Sequence, residues 1–390
     1  MKISLTIGKI NYVLGLVSSI LIFLVIPREL SDLWMLPICS SIMINLAYLV
    51  FNHIPIDRTF VLIICIIAYS LILVVTSEYT QNYIIRGWLS ILLMYLFYTN
   101  GVERISRMGD GILWVMIDIL LIYRTIVSER MADGSLIFHT AFFDRIETEC
   151  IIILFMFLGI KTKHYFCIVY TVWYLVTIST SRGSLMLFGL FFIVRYIKKA
   201  IPWFISKVVN IFRRPRILFY VFGCLLFVFI AFCYYWVNGV GVRNLTEYRA
   251  SIFDTSNFAR FSSSVYAVEV LLKNNNLLFS GFGTDLKEYM GLNGGQRLFM
   301  GHALVQTHNS FLSLLLCYGI IPGAIYIAIL CHIVRKYFTN DNLEYIIGFV
   351  IYTFIIVLLG KRNYDLFWVF ILMTPVQNDV EEIEEALAIE

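Results

Sequence analysis

Three widely separated side chains are best suited to do chemistry. They are Arg182 in Ser179-Thr180-Ser181-Arg182-Gly183-Ser184, Arg260 in Asn257-Phe258-Ala259-Arg260, and His308 in Gln306-Thr307-His308-Asn309-Ser310-Phe311-Leu312. A guanidinium is a planar fork of donors that matches phosphate oxygens. A neutral imidazole accepts a proton from a hydroxyl. Each has a plainer reading: Arg182 snorkelling to lipid headgroups, Arg260 pairing with Asp254 or Glu247, His308 bonded to a loop carbonyl. Ser280-Gly281-Phe282-Gly283-Thr284-Asp285 adds two glycines that permit a tight turn or a close approach to a ligand.

Local pattern suggests how these residues are held. From Asn257 to Lys273, Phe261, Val265, Val268 and Leu272 recur at helical spacing, so an amphipathic helix is predicted, capped by Ser256 or Asn257 and closed at Asn274-Asn275-Asn276. Arg260 then falls in the first turn, where a cation opposes the helix dipole unless an anion neutralises it. Thr307 reads as the N-cap of a second helix, with His308 its first residue. That position disfavours the imidazolium form. Arg182 falls at the tip of a helical hairpin, and a charge at a membrane edge is a functional-site candidate by default. Asp118, inside an apolar run, needs a partner from a neighbouring helix.

The rest of the chain supplies spans. Hydrophobic residues make up 60% of the 390 and charged residues 14%, against about 25% charged in soluble domains. The fold class expected is an all-α polytopic membrane protein with about twelve spanning helices, near 10–26, 33–51, 60–76, 84–99, 111–127, 149–160, 165–181, 183–197, 217–237, 312–334, 344–360 and 364–377. Three divisions follow: 1–237 with nine spans, 238–307 as one large extracytoplasmic loop containing short helices, and 308–390 with three spans and an acidic tail. Arg195, Lys198, Lys199, Lys207, Arg213, Arg214 and Arg216 mark a cytoplasmic segment. Counting outward from it places Lys9, Arg58, Arg104, Lys161, Lys163 and Arg335 inside too, with both termini cytoplasmic. Trp34, Trp88 and Trp236 then fall at outer span ends and Trp203 at the inner face, as in an aromatic belt. The segment 201–212 is expected to lie along the inner surface.

The eight cysteines form no CxxC pair and read as helix-packing residues. No DxD motif and no phosphate loop with Lys-Ser/Thr occurs, so no metal, no cofactor and no nucleotide hydrolysis is expected. The net charge of +4 is spread over many loops and argues against nucleic-acid binding.

Taken in order, Ser181-Arg182-Gly183 before a basic segment, one large outer loop, Arg260, Gly281-Phe282-Gly283, His308-Asn309-Ser310-Phe311-Leu312 and Tyr318-Gly319-Ile320-Ile321-Pro322-Gly323 resemble the bacterial O-antigen ligase and O-antigen/capsule polysaccharide polymerase superfamily. The resemblance covers residues 165–335. It departs where family members carry a tryptophan after the loop arginine, and where Pro322 displaces an expected glycine. It implies a metal-independent, inverting glycosyl transfer at the outer face of the bacterial plasma (inner) membrane, from a glycan on undecaprenyl diphosphate. By the same resemblance Arg182, Arg260, Asn309, Gly281 and Gly283 would hold substrate, and His308 would orient or deprotonate the acceptor hydroxyl. A polymerase joining lipid-linked repeat units is the favoured member, a ligase to lipid A core the alternative. A lipid-linked oligosaccharide flippase is a third reading. Donor and acceptor glycans, the bilayer, a chain-length regulator and a flippase are the expected partners.

Overall fold

The computed structural model describes residues 6–25, 30, 33, 35–76, 82–130, 132, 134, 136–137, 145–179, 182–235, 255–282, 298–299, 302–303, 309–352 and 364–376. Among these the chain is all-α. The first half holds α1 (Ile7–Ile20, continued by a π-helical turn Leu21–Val25), α2 (Met35–Phe51), α3 (Arg58–Thr76), α4 (Asn82–Asn100) and α5 (Arg107–Val127). Next come α6 (Arg145–Lys161), α7 (Tyr165–Thr177), α8 (Arg182–Ala200), α9 (Pro202–Phe212) and α10 (Pro215–Tyr235). The last are α11 (Thr255–Lys273), α12 (Ser310–Tyr318), α13 (Ile320–Lys336), α14 (Leu343–Ile351) and α15 (Tyr364–Met373). Two short antiparallel ladders pair Glu129–Arg130 with Leu136–Ile137 and Leu298–Phe299 with His302–Ala303.

Burial sorts the helices into inner and outer sets. Residues 149–158 of α6 are all buried, and α6 packs on α7, α8 and α15. By contrast α3, α5 and α10 expose apolar side chains such as Val75, Ile119 and Phe227. A helix that is apolar all round belongs in a core or in lipid. Three segments are long and apolar enough to cross a membrane: Ile7–Val25, Arg58–Thr76 and Arg216–Tyr235. A fourth is reached if Ile320–Lys336 and Asn340–Ile351, bent by 116°, make one span. Of the other expected spans, α4, α5 and α8 are unbroken helices of 19, 21 and 19 residues that carry more polar or charged residues, while α2 and α7 are shorter apolar helices.

Polar networks gather particular segments at one end of the bundle. The Lys161 ammonium, buried inside it, donates to the carbonyls of Ile371, Leu372 and Thr374, closing the C-terminus of α15. A cation there also meets the negative end of the helix dipole. Asn342 Nδ2 donates to the Leu372 and Tyr337 carbonyls, Arg213 Nε to Phe338 O, and Lys198 pairs with Glu344 at 2.8 Å. On α1, α2 and α4 an amide ladder runs from Asn100 Nδ2 to Asn45 Oδ1 (2.7 Å) and from Asn45 Nδ2 to Asn11 Oδ1 (2.8 Å). It ends where Asn11 Nδ2 donates to Gly101 O. In a medium that offers no competing water such interhelical bonds act as glue. At the opposite end Arg124 donates to the carbonyls of Leu24 and Val25.

Several expectations change. The run 312–334 is two helices, because Gly319 adopts φ 95°, a conformation open to glycine, and folds α13 back on α12. A Cβ on Gly323 would lie 3.1 Å from the Leu314 carbonyl, which shows how closely the two helices approach. Trp88 is no belt residue: it is fully buried, packed on Tyr318 and Tyr326. Arg104 is also buried and paired with Asp110, which Tyr12 Oη bonds as well, so it carries no free charge to an inner loop. Asp118 finds its partner in His164, the residue that precedes α7. The cysteines are free, five buried and three exposed.

Candidate functional site

The described part of helix α8 runs from Arg182 and α7 ends at Thr177, so the arginine lies in the first described turn of α8. In the same turn Ser184 Oγ donates to Glu149 Oε2. Glu149 lies near the start of the buried stretch of α6, at the end away from Lys161, and α8 runs on to Lys198. The Arg182 backbone therefore lies at the end of the bundle opposite the Lys161 and Lys198 contacts.

Helix α11 begins at Thr255, so Arg260 sits in its second turn rather than the first expected from the sequence. That weakens the dipole argument, because the field of free N–H groups falls off within one turn. The next residue, Phe261, meets Phe232 near the C-terminal end of α10 (centroids 5.5 Å apart). Since α10 starts next to Arg213, at the Lys161 end, this contact puts the Arg260 backbone at the same end as Arg182. Ser262, Ser263 and Ser264 are buried. The inward face is rotated from the one predicted: Val265 is buried as expected, together with Ala267, Val270 and Leu271, while Leu272 is 77% exposed.

His308 and Gly283 lie outside the described residues. The cap of α12 is Asn309 rather than Thr307: its Oδ1 accepts from the Phe311 and Leu312 amides, both at 3.1 Å. His308 therefore precedes the helix it was expected to open. Asn309 is fully buried, and Phe311 packs on Phe222, about two turns along α10 from Pro215. The residue next to His308 is thus seated inside the bundle, about 15 Å along α10 from the Phe232 contact that marks the Arg260 end, so the structure does not bring Asn309 to the end shared by Arg182 and Arg260.

Gly281 makes its close approach to α12. A Cβ there would lie 2.3 Å from the Cys317 carbonyl carbon and oxygen, and the following amide of Phe282 donates to Leu316 O at 2.9 Å. Gly281→Ala is expected to push this segment off α12 at a cost of about 1–3 kcal/mol. A lower Tm of the purified protein in detergent checks it; an unchanged Tm would refute the contact.

Two carboxylates at the Arg182 end escaped the sequence reading. Glu149 is fully buried, with Ser184 as its donor and no partner on Oε1 among the described residues. Asp365, fully buried at the start of α15, accepts from Tyr326 Oη and from the Leu366 amide. For Glu149 the signal existed: an ionisable residue heading an apolar run is expensive and deserves a functional hypothesis. The cavity lined by Gly15, Ser18, Ser19, Leu93 and Phe370 contains no ionisable group.

No protein-family model, curated protein or solved structure matches the chain.

Proposed function

We propose that this chain is a polytopic plasma-membrane glycosyltransferase. In this reading it joins undecaprenyl-diphosphate-linked repeat units at the outer face, as an O-antigen/capsule polysaccharide polymerase. The motif order Arg182, Arg260, Gly281-Phe282-Gly283, His308-Asn309 motivates the reading. The observation that carries it is the common end of the bundle reached by the first turn of α8 and the second turn of α11, two arginine positions remote in sequence.

In this reaction the acceptor oxygen attacks the anomeric carbon of the donor glycan. The anomeric carbon–oxygen bond to the diphosphate breaks, and the diphosphate leaves with the electron pair. His308 takes the acceptor proton. Arg182 and Arg260 neutralise the leaving group, the task that a metal performs elsewhere. This reading puts both termini in the cytoplasm and the Arg182 and Arg260 positions on the extracytoplasmic side.

Deletion of the gene, followed by gel analysis of surface glycan length, tests the reading. A polymerase predicts collapse of the ladder to single repeats, restored by the gene supplied in trans. Full-length chains retained on the lipid carrier and absent from lipid A core would instead identify a ligase. An unchanged ladder would refute both.

A further inference from the structure

A second constellation lies away from these residues, on the opposite half of the bundle. Asp118 on α5, His164 in the α6–α7 turn and Cys167 on α7 bring one ligand atom each to within 4.8 Å of one another. Asp118 Oδ2 is 2.8 Å from His164 Nε2, and the Cys167 thiol points at Oδ1 from 3.8 Å. We propose that Asp118, His164 and Cys167 form a binding site for a borderline-soft divalent cation of the zinc class.

The donor set carries the choice of ion. Thiolate, imidazole and carboxylate together suit Zn²⁺, whereas Mg²⁺ and Ca²⁺ take oxygen ligands only. Three protein donors with a fourth position open is a recurrent zinc arrangement. Here the open side has a physical counterpart, because the His164 and Asp118 side chains keep 23% and 15% of their surface exposed while Cys167 is buried. Charge argues in the same direction. Asp118 sits in an α5 stretch whose neighbours Val115, Met116 and Ile119 are exposed apolar residues, a costly setting for a carboxylate. An ordinary Asp–His pair would satisfy that carboxylate without any thiol.

The backbone is arranged to bring the ligands together. Lys163 takes φ 56°, and the His164 amide turns back to the Gly159 carbonyl at 2.7 Å, ending α6 abruptly and placing His164 over α5. Gly159 leaves room for this: a Cβ there would lie 3.0 Å from Cys167 Cβ and from the His164 carbonyl. The His164 ring is stacked on Trp114 at 4.7 Å, which fixes its plane. Loading the site needs neutral imidazole, carboxylate and thiolate, so the cation displaces the thiol proton to solvent. The spacing His164-x-x-Cys167 carried a trace of the site in the sequence; Asp118, distant in the chain, did not.

Cobalt is the probe. Purified protein in detergent, with any affinity tag removed, is titrated with Co²⁺. One equivalent should bind with a thiolate-to-cobalt charge-transfer band, and Zn²⁺ should abolish that band. Cys167→Ser should lose the band, and His164→Ala should weaken binding about 100-fold or more, at least as much as loss of an outer-shell partner does. Zn²⁺ should also raise the Tm of the unaltered protein, a readout that needs no variant to fold. No charge-transfer band in the unaltered protein, or binding unchanged in both variants, would overturn the site.

Discussion

Replacing His308 with alanine is expected to abolish polymer while leaving the protein at its normal level in the membrane. The proposed base receives the acceptor proton as the new glycosidic bond forms. General-base assistance is worth about 10²–10⁴-fold, so the residual rate should fall below what a glycan gel detects. Asn309, the buried cap of α12, follows His308 directly, and its own Oδ1 accepts from the Phe311 and Leu312 amides. Those two cap bonds need no imidazole, so the protein is expected to persist. The check is paired: a glycan ladder and an immunoblot of the same membranes. A full ladder from His308→Ala would end the base assignment, and disappearance of the protein would move the residue to a structural role.

The second large effect is expected at the arginines. Arg182→Ala and Arg260→Ala should each weaken donor binding by roughly 10–100-fold, the scale of one charge-assisted hydrogen-bond pair at about 1.5–3 kcal/mol. Lysine should rescue little, since it is a point charge without the planar fork. A water-soluble short-chain polyprenyl diphosphate, titrated against the purified protein, measures this directly. If both groups grip one diphosphate, the double variant should lose less than the sum of the single losses in free energy, because they share a ligand. Strict additivity would place them at separate sites. Undiminished binding in Arg260→Ala would remove it from the clamp.

How far the fold could be read depended on range. Helix α11 was visible from the spacing of Phe261, Val265 and Val268, because that pattern is local. Its inward face was misjudged at Leu272, since the three buried serines that set its rotation look polar in isolation. The break at Gly319 was hidden by apolar residues on both sides: hydropathy reports where a chain is greasy, not where it folds back. Asn309 is the cap rather than Thr307, and a one-turn argument cannot decide between two cap-forming residues two positions apart. Asp118 with His164, Glu149 with Ser184, and Arg104 with Asp110 and Tyr12 are tertiary pairings, mostly between distant segments, and no local pattern announces them.

The lysine that closes α15 has a consequence for how the chain is made. Its three carbonyl acceptors are synthesised about 210 residues after it. Until α15 enters, the Lys161 ammonium lacks these three carbonyls. A ribosome product cut short before residue 364 would lack those carbonyls permanently, a mark by which membrane quality control can tell a shortened copy.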